Sequence, residues 1–97
     1  MTLGGKGTIS VCANVAPKDV SAMCRALNDG NYEKARALHF KLEPLNKGMF
    51  IETNPISVKT ALSLMGKIQE EMRLPLCPMS KENKEKLKNI IRTYGLI

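Results

Sequence analysis

The sequence is poor in aromatic residues and in recognisable catalytic motifs. It has no tryptophan and only 4% aromatic residues, although 43% of its residues are hydrophobic. Any core therefore has to be built from Leu, Ile, Met and Ala. The GxSxG, HExxH, GxGxxG and P-loop patterns are all absent. From motifs alone we predict no catalytic residues.

Long apolar runs are also lacking. No stretch approaches the roughly 20 apolar residues that a membrane-spanning helix requires. The N-terminus has no basic region followed by an apolar stretch, which is the pattern of a secretory signal. We therefore expect a soluble protein with no membrane partner.

Metal-binding and disulfide patterns are missing as well. Cys12, Cys24 and Cys77 are an odd number of cysteines at irregular spacing, without a CxxC pair. This pattern predicts reduced thiols and a cytoplasmic protein. The single histidine, His39, has no Cys, Asp or Glu at ligand spacing. We predict no metal site and no bound cofactor.

The formal net charge of +6 raises the question of a nucleic-acid partner. About half of the excess lies near the C-terminus, at Lys81, Lys84, Lys86, Lys88 and Arg92. This region has no RNP-like aromatic motif, no zinc-finger spacing and no glycine-rich phosphate loop. We therefore interpret the basic residues as the solvated face of a helix and predict no nucleic-acid partner, which leaves nucleic-acid binding as a weaker alternative.

One segment, GTISVCANVAP at residues 7–17, predicts a buried strand that leads directly into a helix. Its first half is rich in residues that favour strands, and Pro17 suits the first turn of a helix. Nothing else in the chain resembles a strand. The backbone groups of a lone strand need partners on both sides. We therefore expect the neighbouring strands to belong to sequence outside these 97 residues, as in the tail of a larger α/β protein.

Four amphipathic helical segments follow this strand. The first is predicted from Pro17 to Asp29, and the second begins after a cap at Asn31, with a kink or break near Pro44. The third is predicted from Asn54-Pro55 to Gly66, and the fourth from a cap at Ser80 to Gly95. Their predicted inward residues are Val20, Met23, Cys24, Leu27; Ala35, Leu38, Leu42, Leu45, Met49; Val58, Ala61, Leu62, Met65; and Leu87, Ile90, Ile91, Tyr94.

Three runs carry a family resemblance: LGGKGTISVCANVAP at residues 3–17, MFIETNPISVKTAL at 49–62 and RLPLCPMS at 73–80. In this order and spacing they resemble the C-terminal third of dihydrodipicolinate synthase. Thr53 and Ser57 stand where that family usually has prolines, and we expect these departures to loosen the turns. Met1 stands where the family often has an apolar internal residue, which suits a truncated or split gene, an internal start or an expressed fragment.

The resemblance implies a mostly α chain that is the C-terminal fragment of a (β/α)₈ TIM barrel. Residues 1–30 would form its last β/α unit, with the strand at Gly7–Cys12, and residues 31–97 a three-helix C-terminal extension. The family condenses pyruvate with aspartate semialdehyde in lysine biosynthesis, through a Schiff base on a lysine of the sixth strand. Ile9 matches an isoleucine that lines the pyruvate pocket, and an ordinary barrel-interior residue is the alternative.

The family's nucleophilic lysine and its proton-relaying tyrosine and threonine lie upstream of the matched region. Lys6, Lys18, Lys47 and Lys59 fall outside the sixth-strand position and are not substitutes. Three readings remain open: an inactive C-terminal segment, the small half of a split synthase, or a self-associating helical module. We expect a homo-oligomer or a complementing N-terminal chain as partner, and pyruvate only where the rest of the barrel is supplied.

Overall fold

The computed structural model describes all 97 residues, and its regular structure is entirely helical. A short 3₁₀ helix at Val11–Asn14 precedes α1 (Pro17–Asn28), α2 (Tyr32–Gly48), α3 (Ile56–Leu64) and α4 (Lys81–Tyr94). Helix α1 packs on α2, and α4 packs on both α2 and α3. The mostly α prediction and the order of the four helices are confirmed.

The predicted strand at Gly7–Cys12 is wrong for this chain. Residues 5–10 have no regular structure, and Cys12 lies inside the 3₁₀ helix. Ser10 does have extended backbone angles, with φ of −124° and ψ of 133°. However, none of the N–H groups of residues 5–10 donates a backbone hydrogen bond. A strand exists only through pairing with a neighbour, and these 97 residues supply no neighbour.

The helix ends follow the capping residues that the sequence provides. The Asn31 side chain accepts a hydrogen bond from the Lys34 N–H at 3.2 Å, at the start of α2. Ser80 does the same for the Asn83 N–H at 3.3 Å, at the start of α4. Gly95 ends α4 with a φ of 99°, in the left-handed region that glycine adopts without steric cost.

Helix α2 continues through Pro44, so a break there is wrong, while the alternative of a kink stays a prediction. Proline removes one N–H donor, which leaves the Phe40 carbonyl without its usual partner four residues later. Both Phe40 and Pro44 are exposed, so water can satisfy this carbonyl. Burial of Leu42 and Leu45 on the opposite side, at 1% and 0% exposure, holds the helix together across the proline.

The core is small and the molecule is extended. Only 18 of 97 residues are buried, and the radius of gyration is 14.5 Å, whereas a compact domain of this length has about 12.5 Å. The largest fully buried apolar side chains come from α2, α4 and the residue after α2: Leu42, Leu45, Leu87, Ile91 and Met49. These side chains stabilise a centre formed by α2 and α4.

Helix α1 is covered less completely than its sequence pattern predicts. Of its four predicted inward residues only Val20 is buried, while Met23, Cys24 and Leu27 are half-exposed. A groove of about 370 Å³ also separates α1 from the segment that precedes the 3₁₀ helix. One side of α1 is therefore left without a packing partner.

A hydrogen-bonded cluster joins the loop after α2 to the start of α4. The buried Ser57 hydroxyl donates to the Glu52 carbonyl at 3.1 Å and accepts from the Glu52 N–H at 3.0 Å. The Glu52 carboxylate then accepts from the Ser80 N–H and the Asn83 side-chain amide, both at 3.0 Å. A carboxylate is favourable at the N-terminus of a helix. Ser57 thus stabilises its turn through two hydrogen bonds.

We predict that Ile91→Ala lowers the free energy of unfolding by about 2–4 kcal/mol, since it removes a fully buried side chain from the core. Ile9→Ala is the matched control, because Ile9 is fully exposed, and we expect a change within about 0.5 kcal/mol. Urea unfolding followed by circular dichroism measures both. Equal destabilisation by the two substitutions would contradict the structure.

Candidate functional site

The segment that contains Ile9 lies open on the surface. Ile9 has a relative exposure of 107%, and Leu3 one of 101%. Only two backbone groups of residues 5–10 form a hydrogen bond. The Lys6 carbonyl accepts from the Asn28 side-chain amide at 3.2 Å, and the Ser10 carbonyl accepts from the Ala13 N–H at 3.2 Å. The segment therefore presents an apolar side chain together with free donors and acceptors.

The residues immediately after Ile9 are, in contrast, firmly held. The Cys12 carbonyl accepts from the Val15 N–H at 3.1 Å and from the Ala16 N–H at 2.9 Å. Cys12, Val15 and Ala16 are all buried. The Ala16 carbonyl in turn accepts from the Val20 N–H in α1 at 3.2 Å. The open segment is thus attached to α1 through a continuous hydrogen-bonded turn, residues 10–16.

Three side chains from three helices meet beside this turn, and we call Asp19, Lys41 and Tyr94 the Tyr94 junction. The Tyr94 hydroxyl in the last turn of α4 donates to Asp19 Oδ2 in the first turn of α1. Lys41 Nζ in α2 lies 3.0 Å from the same oxygen and 5.1 Å from the centre of the Tyr94 ring. The carboxylate therefore has two donors, and the ammonium group also lies within cation–π distance of the ring.

The junction shifts the pKa values of the groups around it. Hydrogen bonds from Tyr94 and then Lys41 lower the pKa of Asp19. Burial, followed by the hydrogen bond to Asp19, raises the pKa of Tyr94. Burial, together with the nearby Asp19 charge, raises the pKa of Cys12 to about 11. At neutral pH Asp19 is therefore ionised, while Tyr94 and Cys12 keep their protons.

A shallow cavity of about 280 Å³ lies directly beside the junction. Its walls come from the end of the turn, the start of α1, Lys41, and the C-terminal residues Tyr94 to Leu96. Three separate parts of the chain, residues 15–19, Lys41 and residues 94–96, thus converge beside the turn that follows Ile9.

The family model described as "Dihydrodipicolinate synthetase family" matches residues 1–94. This chain belongs to that family.

Individual relatives match along the full chain. It is 64% identical over 97 residues to the 4-hydroxy-tetrahydrodipicolinate synthase of Thermodesulfovibrio yellowstonii, covering 100% of this chain and 33% of that protein. The synthase of Methanocaldococcus jannaschii is 56% identical over 97 residues, again 100% of this chain, and 34% of that protein is covered. The chain thus spans about a third of the length of the curated relatives it matches.

Solved synthases have the same local fold. A dihydrodipicolinate synthase from Thermotoga maritima superposes with a TM-score of 0.95 at 51% identity, covering 99% of this chain and 32% of that one. The Acinetobacter baumannii enzyme, solved in complex with pyruvate, gives a TM-score of 0.93 at 41% identity, with 98% and 33% covered. The helices of this chain therefore have the arrangement that the corresponding helices have in these solved synthases.

The lysines of this family member do not lie in buried surroundings. Lys6, Lys18 and Lys47 are exposed and Lys59 is half-buried, in α3. A Schiff-base lysine usually needs a dry pocket that lowers its pKa. The structure brings none of these lysines next to Ile9 in such a pocket. No group of three or more metal-binding side chains is present, and none of the helices has the length and apolar character to cross a bilayer.

The sequence did not predict the Tyr94 junction. Asp19 has a local signal, since acidic residues are favoured in the first turn of a helix. Tyr94 was interpreted only as an inward residue of α4, and Lys41 was not singled out. Tyr94 and Asp19 are 75 positions apart, and no local pattern links residues at that separation.

We predict that the stability of the chain falls on acidification as Asp19 takes up a proton. Because the folded-state pKa of Asp19 is lowered, its contribution is fully present above the unfolded pKa of about 3.9. That contribution is lost as the pH falls through the lower folded-state value.

Urea midpoints measured between about pH 2 and pH 6 test this prediction. Asp19→Asn should be less stable than the parent chain at pH 6 and should show a smaller loss on acidification. Asp29→Asn is the matched control, since Asp29 is exposed at the end of α1, and it should keep the parent profile. A pH profile unchanged in Asp19→Asn would be inconsistent with the junction.

Proposed function

We propose that this chain is the C-terminal segment of a dihydrodipicolinate-synthase-like lyase, which condenses pyruvate with aspartate semialdehyde. In this proposal residues 1–30 supply the last β/α unit of a (β/α)₈ barrel, and residues 31–97 form the helical extension. The observation that carries the proposal is the match of the whole chain to one third of such enzymes.

The open segment supports the same conclusion. Its unpaired N–H groups are what a barrel strand presents when its neighbours are removed. The fully exposed Ile9 would then become buried when the neighbouring strands are supplied. Active sites of such barrels lie at the C-terminal ends of the strands, and Ile9 lies shortly before the point where the open segment turns into α1.

Catalysis in this proposal needs a second polypeptide part. The ε-amine of a lysine on the missing part attacks the keto carbon of pyruvate, and a C=N bond forms with loss of water. This chain contributes Ile9 as an apolar wall of the pyruvate pocket, while it contributes no nucleophile. The lone chain is therefore inactive, and a complementing N-terminal chain restores activity.

Borohydride trapping of pyruvate tests the proposal directly. The chain is mixed with the remaining two-thirds of the Thermodesulfovibrio yellowstonii relative, pyruvate and borohydride are added, and intact masses are measured. We expect a reduced pyruvate adduct on the larger part only in the presence of this chain, and none on this chain. An adduct on this chain alone, or failure of the two parts to associate, would refute the proposal.

Ile9→Asp probes the assignment of Ile9 in the same mixture. A carboxylate at an apolar pocket wall costs several kcal/mol when it is left unpaired, so we expect at least a hundredfold loss of trapped adduct. Ile97→Asp is the control, since Ile97 is partly exposed at the C-terminus. If Ile9→Asp kept full activity, Ile9 would not be part of the pyruvate pocket.

Self-association through the open segment is the second candidate. It is favoured by the same unpaired backbone, which can pair with a second copy. Sedimentation of the lone chain distinguishes the two candidates, because a discrete oligomer that persists when the larger part is added would favour the helical-module alternative.

A further inference from the structure

The Tyr94 junction differs from the other ion pairs of the molecule. Two of those, Lys47–Glu43 and Lys86–Glu82, join residues four apart on one helix. A third, Lys84–Glu70, joins α4 to the loop before it. Only the Asp19 carboxylate accepts from two other helices at once, with its side chain at 22% exposure. Removal of the Asp19 carboxylate would therefore affect how the helices are placed relative to one another.

Helix α1 has particular need of such a contact. Its predicted inward face is only partly covered, since Met23, Cys24 and Leu27 are half-exposed. Packing alone consequently fixes the part of α1 after its first turn less firmly than the fully buried side chains fix α2 and α4. The junction lies at this first turn, where Asp19 is bonded to the last turn of α4.

A short chain of hydrogen bonds connects the first turn of α1 to Ile9. Val20 follows Asp19 and donates to the Ala16 carbonyl at 3.2 Å, and Ala16 donates to the Cys12 carbonyl at 2.9 Å. The Ala13 N–H closes the turn on the Ser10 carbonyl at 3.2 Å. Ser10 is adjacent to Ile9 in the sequence. A displacement of α1 at Asp19 would therefore move the turn that orients Ile9.

We propose that Tyr94 is a positioning residue, which fixes the turn at residues 10–16 through its hydrogen bond to Asp19 and so orients Ile9. The C-terminal helix α4 thereby acts on the substrate segment without touching it. The role of Ile9 in substrate binding rests on the proposed function, whereas the effect of Tyr94 on the turn does not depend on it.

Tyr94→Phe tests this proposal, because it removes only the hydroxyl and keeps the ring against Lys41. Tyr32→Phe is the matched control, an identical chemical change at an exposed tyrosine near the start of α2. Hydrogen exchange of the 97-residue chain is followed at residues 10–16 and, as an internal reference, in α3. Alkylation of the buried Cys12 is followed by mass spectrometry, with the exposed Cys77 as reference.

We expect Tyr94→Phe to accelerate exchange at residues 10–16 and alkylation of Cys12 by about tenfold, which corresponds to ~1.4 kcal/mol. Exchange in α3 and alkylation of Cys77 should stay unchanged, and Tyr32→Phe should match the parent. Adding Tyr94→Phe to Asp19→Ala should accelerate exchange little further, because Asp19→Ala already removes the acceptor of this hydrogen bond. Unchanged exchange at residues 10–16, or an equal acceleration in α3, would overturn the proposal.

The complemented enzyme provides a second readout. There Tyr94→Phe should raise the KM for pyruvate several-fold while kcat changes little, since the nucleophile lies in the other part. If exchange became faster while the KM for pyruvate stayed unchanged, the turn would have no effect on substrate binding, and the orienting role of Tyr94 would be overturned. If the unsubstituted parts show no activity, the proposed function fails, whereas the exchange measurement still decides the effect of Tyr94 on the turn.

Discussion

The structure depends on one constraint, which is that a strand cannot satisfy its own backbone. A helix pairs its N–H and C=O groups within itself, and packing of its apolar face then stabilises it, as in α2 and α4. The extended segment at residues 5–10 cannot pair its backbone groups within itself, and its amides stay unpaired. The four helices therefore form in this chain, while residues 5–10 have no regular structure. The unpaired backbone amides therefore lie in the open segment, which contains Ile9.

The burial pattern follows from the same constraint. Helices α2 and α4 face each other and bury Leu42, Leu45, Leu87 and Ile91 almost completely. Helix α1 has one side towards α2 and another towards the open segment, where a groove remains. In a barrel the outer helices cover the strands. In the proposed barrel α1 would belong to this layer and its uncovered side would face the strands, so that polar contacts such as Asp19–Tyr94 contribute a larger share of its contacts in this chain.

The local features were predictable from sequence, and the non-local ones were not. Asn31, Ser80 and Gly95 specify helix ends through interactions within four residues, and the helices are found where these residues predict them. At Pro44 the local signal for a break fails, because burial of Leu42 and Leu45 on the other face of α2 keeps the helix continuous. The strand was predicted from the propensity of residues 8–11, but propensity describes a backbone preference and supplies no partner. Similarly, the Tyr94–Asp19 bond depends on how α1 and α4 each pack on α2, which no sequence pattern encodes.

In the proposed barrel, the position of the junction gives the helical extension a role in placing the last strand. The open segment is connected to the helices through the turn after Ile9. In our proposal Tyr94, near the end of the chain, fixes that turn through its hydrogen bond to Asp19. A loop that carried Ile9 alone would be free to shift, because Ile9 itself makes no stabilising contact here. With α4 bonded to α1, the geometry of the turn is fixed before the neighbouring strands are added. In the proposed assembly the helices thus offer an ordered turn next to the strand, and only the open segment still has to become ordered.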